Sequence, residues 1–591
     1  MKKEFDLLEH EGPSKVVPLD EAIRLFVRPG MSIHMAAGLS RPNALAFALA
    51  RCFWGQESKF TLATSSPREN VLPLLYGGLV RRLIAPGFGP VHVFPTPGPN
   101  PVAQWVFAEG KVECENWSLL TFSLRLLAGA LNLPFFPTRS IAGSDMESEN
   151  FDRFRVMEDP FTSERIGLVR ALRPDLSLIH ATACDPFGNA ILFPPYGEIW
   201  GSLAAEDGVI VSTERVVSTE VVRRQAAFVK IPGHRVKAVV HAPFGVHPGA
   251  LYTGEIEGIG SYGEDKVFLL EYREACKKKE TLEVWLSEWV LKSHDDYLRR
   301  LGKERLSGLV GNGHRSSWVG YPISEEDGNS PPTDAEKMCV LAARKIAEEV
   351  KQHGHRVILA GAGFAHLAAW LATYLLRQEG HKVELALEIG MLGSLPRPGD
   401  PYIFNLGNVY TATSLSDTLH ILGAYVAGDR SLGVLGFAQI DHSGNINTTQ
   451  YDGLLGGSGG ANDVGSGATQ VIAVGLANKN RLLERVEYVT TPGKHVTVLV
   501  TDRGILEKGG ESGELIFTGF MAVENETEDT ALKKCSDACG WPLKATARST
   551  RYPPCSQSEL ALLRAFDPDG FFLNGKGSNG KGTRQKGSGS G

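Results

Sequence analysis

The chain has 591 residues, 42% hydrophobic and 22% charged, an ordinary make-up for a soluble globular protein that is too long for one core. A net charge of −6 and a pI of about 6.3 leave no basic footprint for nucleic acid. The apolar stretch 119–136 contains Arg125 and Asn132 and falls short of a membrane span, and Met1-Lys2-Lys3 runs into Glu-Phe-Asp instead of an apolar signal segment. The expectation is therefore a cytoplasmic protein.

In chain order, apolar runs of strand length alternate with helical ones. MSIHMAAGLSRPNALAFALA (31–50) reads as a strand, a glycine turn at Gly38 and a helix, and LSLIHATACD (176–185) reads as a buried strand ending in the turn Asp185-Pro-Phe-Gly188-Asn189. Residues 307–337 are rich in Gly, Ser, Pro and acidic side chains and read as a linker or surface crossover. Beyond them the same order recurs. RVILAGAGFAHLAAWLA (356–372) is strand, turn at Gly361 and Gly363, then helix, and LGVLGFAQID (432–441) ends in Asp441-His-Ser-Gly444-Asn445. Either D-x-x-G-N alone is an ordinary turn. The shared order of elements points to two related α/β lobes with largely parallel sheets. The end, 574–591, has no apolar residue and is expected to be disordered.

Three segments have the composition of a working site. Gly361-Ala-Gly363 could present backbone N–H groups to a ligand, although it lacks the third glycine of a dinucleotide fingerprint and no Walker lysine follows. LLGGSGGANDVGSG (454–467) is either a flexible surface loop or, through N–H groups near Gly459, Gly460 and Asn462, an oxyanion-binding loop. In VELALEIGMLGS (383–394) a period-two strand ends at Glu388, followed at once by Gly390 and Gly393. Glu388 is either a solvated strand-end carboxylate or a nucleophile with room for an electrophile to approach. The eight cysteines show no disulfide framework, Cys535, Cys539 and Cys555 lack a fourth ligand nearby, no histidine pair has metal spacing, and no G-x-S-x-G elbow is present.

Together these segments resemble family I coenzyme A transferases of the glutaconate type. LRLLAGALNLPFFPTRSIAGSD, DPFTSERIGLVRALRPDLSLIHATACDPFGNA and APFGVHPGALY resemble the α subunit; ILAGAGFAHLAAWLA, LEIGMLGS, GFAQIDHSGNINTT, GGSGGANDV and VEYVTTPG resemble the β subunit. The resemblance implies an α-like domain over residues 1–306, a linker over 307–332, a β-like domain over 333–522, and a C-terminal extension over 523–573 that resembles the family only loosely. It places Glu388 at the catalytic glutamate, with Gly38, Gly361, Gly363, Gly390, Gly393, Gly459, Gly460 and Asn462 around coenzyme A and substrate. It implies ping-pong transfer of coenzyme A from an acyl-CoA to a free dicarboxylic or branched-chain acid, with no cofactor or metal, by a homo-oligomer that binds neither nucleic acid nor membrane. Two alternatives accompany it. Relatives on the same fold open a C–C bond or decarboxylate, and Glu115 is the nearest candidate base for that chemistry; a non-catalytic CoA-binding protein is the other.

Overall fold

The structure is a computed structural model; it describes residues 12–88, 100–254, 256–318, 323–428, 430–509, 513–522 and 526–573. The tail read as disordered, 574–591, lies outside the described residues.

Two large sheets organise the chain. In the first, Phe60–Ala63, Ser32–Met35, Leu176–Cys184, Gly208–Val216 and Val236–His241 lie side by side and parallel, and Val80–Ala85 and Glu113–Asn116 extend the sheet beyond Phe60–Ala63. In the second, Glu384–Leu387, Val357–Ala360, Ser431–Leu435, Gln470–Val474 and Val496–Thr501 repeat that five-strand order, again parallel. The central strands are buried on both faces, which is why they read as continuous apolar runs and not as alternation.

The duplication extends to individual hydrogen bonds. Asp185 Oδ1 accepts the N–H groups of Phe187 (3.1 Å) and Asn189 (2.9 Å), Oδ2 accepts Asn189 Nδ2 (2.8 Å), and Asn189 Oδ1 accepts Gly233 N–H (2.9 Å). In the second lobe Asp441 takes Ser443, Asn445 and Asn445 Nδ2, each at 3.0 Å, and Asn445 takes Gly493 at 2.8 Å. Even the lysine clasp is repeated, Lys15 to the Gly233 carbonyl (2.6 Å) and Lys508 to that of Gly493 (2.5 Å). The two D-x-x-G-N turns are thus equivalent braces that tie the end of one parallel strand to the start of another.

The last strands belong to the second sheet. Gly504–Gly509 and Glu514–Met521 add antiparallel to its edge, and Ala545–Tyr552 adds parallel to Glu514–Met521. The helix Gln557–Phe566 buries Phe566 against Trp370 (ring centroids 5.2 Å), and its Arg564 grips Glu336 at 2.6 and 3.0 Å. Residues 526–573 therefore complete the second lobe; they are not an appendage beyond 522. The helix Lys303–Gly313 runs past position 307, so the first lobe continues into the stretch read as linker, and Tyr410 donates to the Gly313 carbonyl (2.5 Å). The two lobes share a core in which Trp117, Leu120 and Phe122 pack with Ile421, Leu422 and Leu435.

Candidate active site

The strand Glu384–Leu387 does not end in an open turn. Met391–Leu392 folds back antiparallel on it, pairing Leu387 with Met391, so Glu388 and Ile389 sit at the tip of a tight hairpin. Gly390 has φ +123°, and a Cβ there would stand 2.6 Å from the Ser416 carbonyl; Gly393 has φ +71° and abuts Thr413. Both glycines let the hairpin lie against residues 413–417, which is a backbone requirement.

Glu388 faces a cavity of about 430 Å3 between the lobes. The second lobe contributes Gly361, Ala362, Tyr402 and the glycine run 456–460; the first contributes Gly38, Arg41, Arg68 and Glu264. Of the residues singled out from the sequence, Glu388, Gly38, Gly361, Gly459 and Gly460 meet at this cavity. Gly363, Gly390, Gly393 and Asn462 lie outside its lining. Asn462 is buried and braces the lobes, accepting Ile141 N–H (2.7 Å) and donating to the Thr490 carbonyl (2.8 Å). Gly363, at φ +79°, starts the helix Phe364–Gln378.

The glycine loop is held from the other lobe. Gly459 N–H donates to the Pro86 carbonyl (2.7 Å), and the Gly459 carbonyl accepts Leu119 N–H (2.9 Å). Asp463 is buried, and its carboxylate takes Ser118 Oγ (2.6 Å) and Leu120 N–H (2.9 Å) at the N-terminus of the helix Leu119–Ala130. A carboxylate at the positive end of a helix is favourable, and here it clamps one lobe to the other. Burial still pushes Asp463 up to about 6 against those hydrogen bonds. Glu388 has no hydrogen-bond partner among the described residues; burial, and then the charge of Asp463, push it up to about 7. An unpaired carboxyl poised near neutrality in a cleft is the condition of a reactive group.

Sequence reading missed the cations. Arg41 and Arg68, both buried, approach Glu69 and Glu264 only at 3.6 and 3.9 Å, and Arg41 Nε has no hydrogen-bond partner. Arg68 donates to the Tyr402 hydroxyl. Burial, then the neighbouring Arg68, lowers Arg41. The available signal was position, since both arginines follow the C-terminal ends of parallel strands, where open α/β sheets bind ligands.

Glu115 lies elsewhere. It lines a second cavity of about 530 Å3 and is locked by Arg125 (2.7 Å), Trp117 Nε1 (2.8 Å), Arg153 (3.5 Å) and Arg82 (3.8 Å). Among the described residues no group of three or more His, Cys, Asp or Glu is placed to hold a metal ion, and no helix is long and apolar enough to cross a membrane.

Comparison with known proteins agrees with this architecture. Residues 16–242 match the family model for coenzyme A transferase. The chain is 32% identical to one of the subunits of glutaconate CoA-transferase from Acidaminococcus fermentans over 230 residues, 35% of this chain and 67% of that one. It is 30% identical over 302 residues to the cholesterol ring-cleaving hydrolase IpdA subunit of Rhodococcus jostii, 48% of this chain and 94% of that one. The apoenzyme structure of an acyl-CoA transferase from Escherichia coli O157:H7 shares the fold, with a TM-score of 0.64 over 93% of this chain and 96% of that one at 15% identity. The chain belongs to the coenzyme A transferase family.

Proposed function

We propose that the protein transfers coenzyme A from an acyl-CoA to a free carboxylic acid, with Glu388 as the covalent nucleophile. The observation that carries this reading is the Glu388 carboxyl, free of hydrogen bonds, at a hairpin tip in a cavity ringed by glycine backbone from both lobes. The carboxylate attacks the thioester carbonyl, and the C–S bond breaks to give an acyl-glutamyl anhydride and CoA thiolate. The thiolate then attacks the glutamyl carbonyl, giving a glutamyl-CoA thioester and releasing the first acid as its carboxylate. An acceptor carboxylate runs the same two steps in reverse. One thioester replaces another, so no external energy source is needed. Within the run the Gly456, Gly457 and Gly459 N–H groups already donate to the Thr449 and Pro86 carbonyls, so the Ser458 and Gly460 N–H groups would serve the oxyanions, and contacts along coenzyme A would hold the reacting atoms together.

For the acid, Arg41 and Arg68 support a dicarboxylate over a branched monocarboxylate, because a second carboxylate would find a guanidinium with an unfilled donor. The hydrolytic alternative has less support: its candidate base, Glu115, is held by three arginines outside the Glu388 cavity.

The test is trapping. Incubation with acyl-CoA and no acceptor should accumulate the glutamyl-CoA thioester, and borohydride, which reduces thioesters and spares carboxylates, should then inactivate the protein and label the peptide containing Glu388. Labelling of another peptide, or full transfer by Glu388→Ala, would refute the assignment.

A further inference from the structure

The cavity of about 530 Å3 that holds Glu115 belongs to the first lobe, and its lining shares no residue with that of the Glu388 cavity. Register explains its floor. Ser32 pairs with Thr61 and Thr61 with Arg82, which sets the three in one row across parallel strands, and Ile84 with Glu115 forms the next row on the same face. The walls come from Arg125 of the helix Leu119–Ala130, from Arg153, and from residues 170–173 at the end of the strand Arg165–Arg170.

Five arginines thus line one cavity: Arg82, Arg125, Arg153, Arg170 and Arg173. Their hydrogen bonds are incomplete. The Glu115 and Arg125 side chains are each only 4% exposed. Glu115 Oε1 accepts Arg125 Nη1 (2.7 Å) and Trp117 Nε1 (2.8 Å), whereas Oε2 accepts no hydrogen bond, and Arg153 and Arg82 come no nearer to it than 3.5 and 3.8 Å. Arg82 and Arg153 turn other nitrogens to the exposed carboxylates of Glu113 and Asp152, both at 2.8 Å. Arg173 gives Nη2 to Asn132 (2.9 Å), and Arg170 makes no ion pair and no side-chain hydrogen bond among the described residues. Glu206, exposed, is the other carboxylate of the lining, and Asp175 takes the Ser32 N–H (2.7 Å). Carboxylates therefore come close to balancing the guanidinium charges, and what the cavity lacks is partners for particular atoms. Burial lowers Arg125, and the charges of Arg153 and Arg170 add to that against the pull of Glu115. A buried carboxylate oxygen without a donor is costly, and guanidinium donors without acceptors stand in the same space.

We propose that this cavity binds a small hydroxylated oxyanion, whose charged oxygens accept from Arg170 and Arg153 and whose O–H donates to Glu115 Oε2. Hydrogen phosphate and 2-hydroxycarboxylates share that chemistry, and the planar guanidinium suits either anion. Sulfate and simple carboxylates do not share it. They carry no proton at neutral pH, so their oxygens would face Glu115 Oε2 with nothing between. A ligand held here would also bear on Arg125, and so on the helix whose N-terminus holds Asp463.

Titration calorimetry on the whole protein at pH 7, with phosphate, glycolate, sulfate and acetate as probes, tests it. Phosphate or glycolate should bind, and the tighter of the two names the source. Sulfate should bind about tenfold or more weakly than phosphate, and acetate than glycolate, the worth of a hydrogen bond to a charged group. Arg170→Met removes a side chain that has no partner to lose, so the melting temperature should hold while affinity falls about tenfold or more. Glu115→Gln should erase the preference for phosphate over sulfate. Arg41→Met, in the Glu388 cavity, should leave binding as it was. Because binding is read and not turnover, the result is independent of the role of Glu388. No binding of phosphate or glycolate, sulfate and acetate binding as tightly as their hydroxylated counterparts, or affinity unchanged by Arg170→Met would overturn the proposal.

Discussion

Gly460 stands so close to Glu388 that a Cβ on it would lie well inside contact distance of Glu388 Oε2. The two residues come from different loops, and only a glycine leaves the carboxylate its place. Gly459, one residue earlier, has open space where a Cβ would go, although its φ of +52° disfavours a side chain.

The neighbouring glycines should therefore behave differently. Gly460→Ala should lower kcat at least 100-fold by displacing the carboxylate, since a misplacement of about 1 Å costs roughly that much. Gly459→Ala should keep turnover within about threefold and lose about 1 kcal/mol of stability to backbone strain. Steady-state kinetics with thermal melts of both variants decide the matter; equal loss of turnover in both would show that Gly460 has no special relation to Glu388.

The raised value of Glu388, about 7, predicts a pH profile. As the nucleophile proposed above, Glu388 would have to ionise before attacking, so kcat/KM should rise with pH and level off above about 7. Asp463 contributes to the raised value through its charge. Asp463→Asn should move this acid limb to lower pH, while a residue that only held the loop in place would lower the plateau and leave the limb where it was.

The same shift bears on stability. In the unfolded chain Glu388 titrates near its ordinary value of 4.5, and in the folded protein near 7. Below 4.5 both states are protonated and nothing is lost. Between 4.5 and 7 the folded state keeps a proton that the unfolded chain releases, so stability falls as pH rises, and the penalty is complete above 7. Glu388→Gln should match the wild type at pH 4.5 and exceed it by about 1–3 kcal/mol at pH 8, a few degrees in Tm. A Tm gain of equal size at both pH values would contradict this origin.

Much of this was legible in the sequence because it is local. The period-two run before Glu388, the two D-x-x-G-N turns and the strand–glycine–helix order each depend on a few consecutive residues, and they recur as the repeated five-strand order of the two sheets. What was not legible depends on how the lobes dock. Gly460 against Glu388, Asp463 on the helix at Leu119, and Arg68 on Tyr402 join positions that no periodicity links. Residues 526–573 alternate weakly, since Ala545–Tyr552 is an edge strand with five exposed side chains, and their place in the second sheet is set by partners such as Trp370 and Glu336. Gly390, Gly393 and Asn462 were read as ligand contacts because small and amide residues serve close approach and bracing alike.

The two buried arginines allow a test of acid specificity. Removing Arg41 should weaken use of acids with a second carboxylate and spare those without one, because only the former would meet the guanidinium. A charge-assisted hydrogen bond contributes about 1.5–3 kcal/mol, so KM for a dicarboxylic acceptor should rise about 10- to 150-fold in Arg41→Met, with little change for a monocarboxylic acceptor of similar length. Arg41 also lies 3.6 Å from buried Glu69, whose carboxylate accepts Asn43 at 3.0 Å, so the single variant leaves a buried charge less compensated. The double variant Arg41→Met/Glu69→Gln removes that charge and should recover stability without recovering the dicarboxylate preference. Steady-state kinetics on matched pairs of acids separates the outcomes. Equal losses for both acids in both variants would show that Arg41 supports the fold of the cavity and does not read the acid.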